Sequence, residues 1–234
     1  FGDTQITDWA IDKINEEGDQ PFFLGVGYYR PHIPLWAPAR FFERFHENPG
    51  KLPPFKADDL DDLSEVGKRW ALEPITAGSH ETTVRFGEWQ SAVEAYLACV
   101  TYVDHEVGRL LEALDQSEHS DHTIIVLWSD HGWHLGEKQH WGKWTGWERS
   151  TRIPLMVAPA KTMAEEFAEP GSKCDQPVGL IDLFPTLTDL CDVEAPGGLD
   201  GESLVPLLKN PRQDTGRLLF TLFDPYNISV RDSR

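Results

Sequence analysis

Cysteine is scarce in this chain: Cys99, Cys174 and Cys191 are the only three among 234 residues. An odd, widely spaced set excludes a disulfide framework, so the fold has to rest on a hydrophobic core. Cys174 and Cys191 are expected as two buried thiols flanking a helix rather than as a bridge. Long apolar runs are missing as well. No segment approaches the roughly 20 consecutive apolar residues that cross a bilayer, so no membrane-spanning helix is expected. Positive charge is the third shortage. Lys and Arg number 21 against 39 Asp and Glu, a formal net charge of −18. A nucleic-acid surface needs a basic stripe, and none is present. The same deficit repels anions from the molecule, so a site for an anionic substrate must carry its own positive charge, from a metal, Lys143 or Arg30.

What is present is the composition of a globular protein, 40% hydrophobic and 26% charged. A single domain of this size buries roughly 70% of its unfolded surface. Residues 4–17 predict a helix with Ile6, Trp9, Ala10, Lys13 and Ile14 on one face and Gly18 as a stop. Residues 21–27 (PFFLGVG) read as a buried strand, and the prolines of residues 28–38 then impose a shaped loop. Residues 48–87, with Pro53, Pro54 and the acidic run Asp58, Asp59, Asp61 and Asp62, read as a solvated excursion whose aspartates cap helices. No Gly turn or terminal Glu completes a calcium-binding loop there. Residues 88–114 predict a helix roughly 40 Å long, its apolar stripe formed by Val93, Tyr96, Leu97, Val100, Val107, Leu110, Leu111 and Leu114. Residues 123–128 (TIIVLW) read as a strand buried on both faces, residues 153–158 and 218–223 as further apolar strands, and residues 183–190 as a helix with Pro185 in its first turn. Helices alternating with short apolar strands predict an α/β fold: a large mixed, mostly parallel sheet sandwiched by helices.

The densest chemistry follows residues 123–128. Residues 129–144 read SDHGWHLGEKQHWGKW, just past the carboxyl end of a strand, where open α/β sheets bind ligands. Asp130 offers a carboxylate to a hard divalent ion, and Gly132 lets the backbone turn beside it. His32, between the prolines of RPHIP, sits on a loop rigid enough to reach into a cleft. His131, His134 and His140 raise the alternative of zinc, but their spacing is not HExxH and no cysteine joins them. Trp133, Trp141, Trp144 and Trp147 crowd the same stretch, and an exposed ring, Trp133 first, would stack on a sugar face.

These residues resemble the type I sulfatases of the alkaline phosphatase superfamily, most closely the iduronate-2-sulfatase-like and choline-sulfatase-like branch. The resemblance rests on residues 129–144 together with VGYYRPHIPLWAP, YLACVTYVDHEVGRLLEAL, RIPLMVAP and PVGLIDLFPTLTDLC, in the family's order. It implies an alkaline phosphatase-like fold, with residues 1–216 part of the catalytic domain and 217–234 the start of a C-terminal subdomain. It implies a sulfuric ester hydrolase acting on a sulfated small molecule or saccharide, with Ca2+ as cofactor. Asp130 is then a calcium ligand and His131 a ligand or a contact of the site. Lys143 binds the sulfate ester, and His32 is the general acid. Trp133, His134, Arg30 and His140 line the substrate side.

The family's nucleophile, a Cys or Ser followed by x-Pro-x-Arg and converted to formylglycine, has no counterpart here: Cys99, Cys174 and Cys191 stand in other contexts. The chain is therefore expected to be an internal piece of a longer protein, inactive by itself. A phosphonate or phosphate monoester hydrolase of the same superfamily is the rival reading. A non-catalytic remnant that binds carbohydrate is the reading from another class. Export to the periplasm or exterior follows from the family alone.

Overall fold

A computed structural model of the chain describes residues 1–16, 18, 20–73, 78–224 and 227–233. In chain order the elements are α1 (Gly2–Ile14), α2 (Arg40–Glu47), α3 (Glu65–Leu72), α4 (His80–Arg85), α5 (Trp89–Gln116), β1 (Ile125–Trp128), β2 (His134–Leu135), β3 (Trp141–Gly142), α6 (Glu148–Thr151), β4 (Leu155–Ala158), α7 (Leu183–Leu190), α8 (Val205–Lys209), β5 (Leu219–Asp224) and β6 (Asn227–Arg231). They fall into two compact units, Phe1–Ser120 with Trp133–Gly142, and Asp121–Gly132 with Lys143–Arg234.

In the first unit α5 is the spine, and α1 and α2 pack on it. The face it buries is not the expected stripe. Val93 and Leu114 are buried, but so are Ala98, Cys99, Tyr102 and Glu106, while Val100 and Leu111 are exposed. The small side chains of Ala98 and Cys99 let the neighbouring helices come close. Phe41 of α2 then packs on Ala98 and Tyr102, with Ala37, Phe42 and Phe45 around it. Polar groups on this face are tolerated because each is satisfied. The Thr4 hydroxyl donates to Glu106 Oε1 at 2.9 Å and pairs with the Tyr102 hydroxyl at 2.8 Å, and Arg109 donates to Glu106 Oε2 at 2.7 Å. Accordingly α1 buries Asp3, Thr7, Ala10 and Ile14, and the expected core residue Trp9 stays exposed. Of the helix expected over residues 4–17, Glu17 lies outside the described residues.

Residues 21–27 run extended but join no ladder among the described residues, and Phe22 and Phe23 are exposed, so the expected buried strand is not formed there. Residues 48–87 carry α3 and α4 on either side of residues 74–77, which lie outside the description. Their caps are serines, not the aspartates: Ser64 accepts from Gly67 N–H and Ser79 from Thr82 N–H. Asp59 instead takes the Lys138 ammonium at 3.0 Å.

In the second unit β1 pairs antiparallel with β4, Ile125 opposite Ala158 and Trp128 opposite Leu155. With one ladder partner each among the described residues, both are half-buried rather than covered on two faces, and Trp128 and Met156 are exposed. The strand expected at residues 218–223 is β5, paired antiparallel with β6. The helix expected at residues 183–190 is α7, and its start is fixed by Asp182. That carboxylate is fully buried and accepts from Gly179 N–H, Glu202 N–H and the Arg217 guanidinium at 2.7–2.9 Å. Cys174 and Cys191 are both free and exposed, which overturns the expectation of buried thiols.

Candidate active site

In the second unit the chain leaves β1 at Trp128 and turns at once. The Ser129 hydroxyl donates to His131 O at 2.8 Å, and Gly132 N–H donates to Ser150 O of α6 at 2.8 Å. The turn presses so close to α6 that a Cβ on residue 132 would lie 2.0 Å from Arg149 O, which is why glycine stands there. The result throws Asp130 outward, its side chain 81% exposed. His131 folds back: its Nδ1–H donates to Gly132 O at 2.9 Å, so Nε2 carries the lone pair. Lys143 Nζ donates to that Nε2 at 2.7 Å, and Asp130 Oδ2 lies 3.7 Å from it. Three of the expected residues, Asp130, His131 and Lys143, are thus brought together. They form an exposed carboxylate beside an ammonium whose direction is set by the His131 ring.

In the first unit the loop after residues 21–27 carries Arg30 and His32. His32 N–H donates to Tyr29 O at 3.0 Å, and the Tyr29 hydroxyl donates to Ile33 O at 2.8 Å, closing a tight turn. His32 Nδ1–H donates to Ile33 O at 2.9 Å, which places the exchangeable proton of the charged ring on Nε2. The Trp133 ring meets the His32 ring edge-on at 5.6 Å. Arg30 lies over the Tyr29 ring at 5.1 Å and donates through Nε to Trp36 O, while its Nη1 is buried with no acceptor among the described residues.

The other expected substrate contacts are placed differently. Trp133 is only 8% exposed and packs as core behind His32, so it presents no face to a sugar. His134 and His140 are 1% and 2% exposed and lie edge to face at 5.1 Å. Their Nδ1–H groups donate to Glu137 O and Ala71 O. They hold a hairpin, β2 with β3, against the helices rather than lining a pocket. The Trp141 indole, in β3, donates to His80 Nδ1 at 3.1 Å, and the Trp89 indole donates to Leu135 O at 2.8 Å. Sequence spacing offers no warning of this, because a histidine serving a hairpin and one serving a substrate have the same local pattern. The exposed rings of these loops are Tyr29, Trp36 and Trp144. Asp3, also unforeseen, accepts from both Tyr29 N–H and Arg30 N–H at 2.9 and 3.2 Å.

A divalent cation finds a partial fit. Among the described residues no three His, Cys, Asp or Glu side chains converge, and the zinc trio is not assembled. Asp130 is suited to a hard cation, as an exposed carboxylate at the mouth of the turn. His131 Nε2, the nitrogen a ligand needs, faces the Lys143 ammonium instead.

The sulfatase family model matches residues 2–193. A sulfatase of Formosa agariphila is 39% identical over 229 residues, covering 98% of this chain and 44% of its own length. Iduronate 2-sulfatase of Homo sapiens is 32% identical over 225 residues, covering 83% of this chain and 40% of its own. This chain therefore spans less than half the length of these relatives. The solved phosphonate monoester hydrolase of Silicibacter pomeroyi superposes with a TM-score of 0.76 at 26% identity, over 98% of this chain and 46% of that one. A structure solved in complex with its substrate D-glucosamine-2-N,6-O-disulfate gives 0.76 at 23% identity, over 100% and 59%, a likeness of fold. With the family model matching most of the chain and the fold shared with alkaline phosphatase-like enzymes, this chain belongs to the sulfatase family, the type I sulfatases of the alkaline phosphatase superfamily.

Proposed function

We propose that the protein carrying this chain hydrolyses the sulfate monoester of a sulfated saccharide to alcohol and sulfate. The observation that carries the reading is the meeting of Asp130 and His131, just past β1, with Lys143, just past β3, in a stretch matched by the sulfatase family. The Lys143 ammonium, aimed by His131, draws charge from the sulfate oxygens. In a site shielded from water that kind of stabilisation is worth about 3–4 kcal/mol of barrier. His32 donates its Nε2 proton to the departing alkoxide, a contribution of about 10²- to 10⁴-fold. Arg30 offers a buried donor lacking an acceptor among the described residues, which an anionic group on the substrate would supply. The family uses a divalent metal. When bound, that cation, calcium by the preference of a carboxylate site, is held in part by Asp130 and supplies Lewis-acid charge at the ester. We assign the nucleophile to a formylglycine elsewhere in the protein, since none of the three cysteines here carries the x-Pro-x-Arg tail. Saccharide is favoured over choline ester by the exposed Tyr29, Trp36 and Trp144 rings and by the disulfated glucosamine held by a neighbour of the same fold. The reading includes export from the cytoplasm; among the described residues no helix is long and apolar enough to cross a membrane.

The phosphonate monoester hydrolase likeness keeps one rival in view. Matched 4-nitrophenyl sulfate and phenylphosphonate esters assayed on the full-length protein decide between them. The expected result is kcat/KM at least about 10-fold higher for the sulfate. Preference for the phosphonate would reverse the assignment. In the same preparation Asp130→Ala is expected to abolish stoichiometric calcium and turnover together; full activity in that variant would remove Asp130 from the site.

A further inference from the structure

We propose that Asp3 is a positioning residue for His32, acting through the backbone of the loop that joins them. The inference rests on the reading of His32 as a site residue. Asp3 is 4% exposed, in the first turn of α1, 26 residues before the loop it serves. Its two carboxylate oxygens are used on different consecutive amides: Oδ1 accepts from Tyr29 N–H at 2.9 Å and Oδ2 from Arg30 N–H at 3.2 Å. A buried carboxylate spanning two adjacent N–H groups fixes both peptide planes, because moving either one leaves a charged oxygen or an amide unsatisfied away from water.

From those planes the constraint reaches the imidazole in two bonds. The Tyr29 carbonyl accepts from His32 N–H, and the Tyr29 hydroxyl and His32 Nδ1–H both donate to Ile33 O. Trp133 closes the ring's remaining freedom by packing on it edge-on. Arg30 is carried by the same clamped peptide, so the guanidinium over Tyr29 is positioned with it. The helix bearing Asp3 is itself anchored independently of the loop: neighbouring Thr4 bonds Tyr102 and Glu106 of α5. Thr7 adds a further tie to the end of the extended segment, through the Tyr28 hydroxyl at 3.2 Å. The arrangement is a rigid helix holding a proline-rich loop by a double hydrogen bond, which is how a side chain on a loop gains the placement of one on a regular element.

The test is a double-mutant cycle in the full-length protein, with Asp3→Asn, His32→Ala and the pair, assayed on an alkyl and an aryl sulfate. In Asp3→Asn the new side-chain amide group meets a backbone N–H donor with an N–H donor, breaking one arm of the clamp while keeping size and burial. Asp3→Asn is expected to lower kcat for the alkyl ester about 10- to 100-fold, and the pair to be no slower than His32→Ala alone. Losses that multiply in the pair would overturn the proposal, as would wild-type kcat in a folded Asp3→Asn. Thr4→Ala is the control for mere helix loosening: it is expected to lower Tm while leaving the ratio of alkyl to aryl rates unchanged, and a ratio shift equal to that of Asp3→Asn would also overturn the proposal. Failure of the general-acid reading has a separate signature, equal losses on alkyl and aryl esters in His32→Ala, and the coupling between Asp3 and His32 is measured whichever step His32 serves. Amide exchange at Tyr29 and Arg30, faster in Asp3→Asn and unchanged in Thr4→Ala, reports the clamp without any turnover.

Discussion

At the scale of single residues, the histidines divide by what their second nitrogen meets. His32 and His131 each spend Nδ1–H on a carbonyl one residue along, and at His131 Nε2 accepts from Lys143. His80 works the other way, its Nδ1 accepting the Trp141 indole N–H while Phe55 and Trp89 pack on its ring. Burial lowers its pKa from the ordinary 6.5, and protonating Nδ1 destroys the acceptor. For a base with a lowered folded pKa, the stabilisation is complete above the unfolded value and is lost as pH falls below about 6.5 through the folded value. The Tm is accordingly expected to drop between about pH 7.5 and about pH 5.5, and the drop to shrink in His80→Phe. A Tm change of the same size in that variant would show that another group titrates.

At the scale of elements, the turn that follows β1, residues 129–132 packed on α6, bears the geometry proposed for Asp130 and His131. Its glycine is the place to test it. Gly132→Ala puts a Cβ 2.0 Å from Arg149 O, a backbone atom that cannot rotate away. Either the loop or α6 must shift, at a cost of about 1–3 kcal/mol for overpacking of this kind. The variant is expected to have a lower Tm and reduced turnover, because Asp130 and His131 ride on the displaced turn; unaltered activity and Tm would mean that the loop has slack the geometry does not show. Elements were unequally legible in the sequence. The helix at residues 183–190 and the strand near residues 218–223 were plain, since each carries its period and its boundaries within a few residues. The buried face of α5 was not. Its apolar residues outnumber those it buries, and the choice of Ala98, Cys99, Tyr102 and Glu106 was made by α1 and α2. Nor did residues 21–27 become a strand, because a ladder is a property of two segments and an apolar run specifies only one of them.

At the scale of the whole molecule, a chain with net charge −18 has few cationic side chains to offer an anionic substrate. Lys143 is the cation held beside Asp130 and His131 in the second unit, so its removal is expected to weaken the hold on the sulfate. The chain by itself lacks a nucleophile that can enter the proposed mechanism. Residues 1–234 expressed alone and shown to be folded are expected to turn over 4-nitrocatechol sulfate, with calcium present, no faster than the same chain carrying Asp130→Ala and Lys143→Ala. Losing a chemical step, as opposed to weakening one, costs many orders of magnitude. Clear turnover above that control would mean that another residue serves as nucleophile.

The sequence by itself determined the family, the helices near residues 88–114 and 183–190, and residues 129–144 with Asp130, His131 and Lys143 as candidates, because metal-ligating and cationic side chains past a strand end are a local pattern of residue types. Tertiary structure alone decided which of the neighbouring residues face outward. Trp133, His134 and His140 share the loop and the composition of a substrate surface, yet their rings fill the spaces against His32, α3 and each other. Asp3 lies far from any motif and enters the argument only when α1 and the loop after residues 21–27 come within hydrogen-bonding distance. Side-chain direction depends on what packs on the other side, and that information is spread over residues that no local window contains.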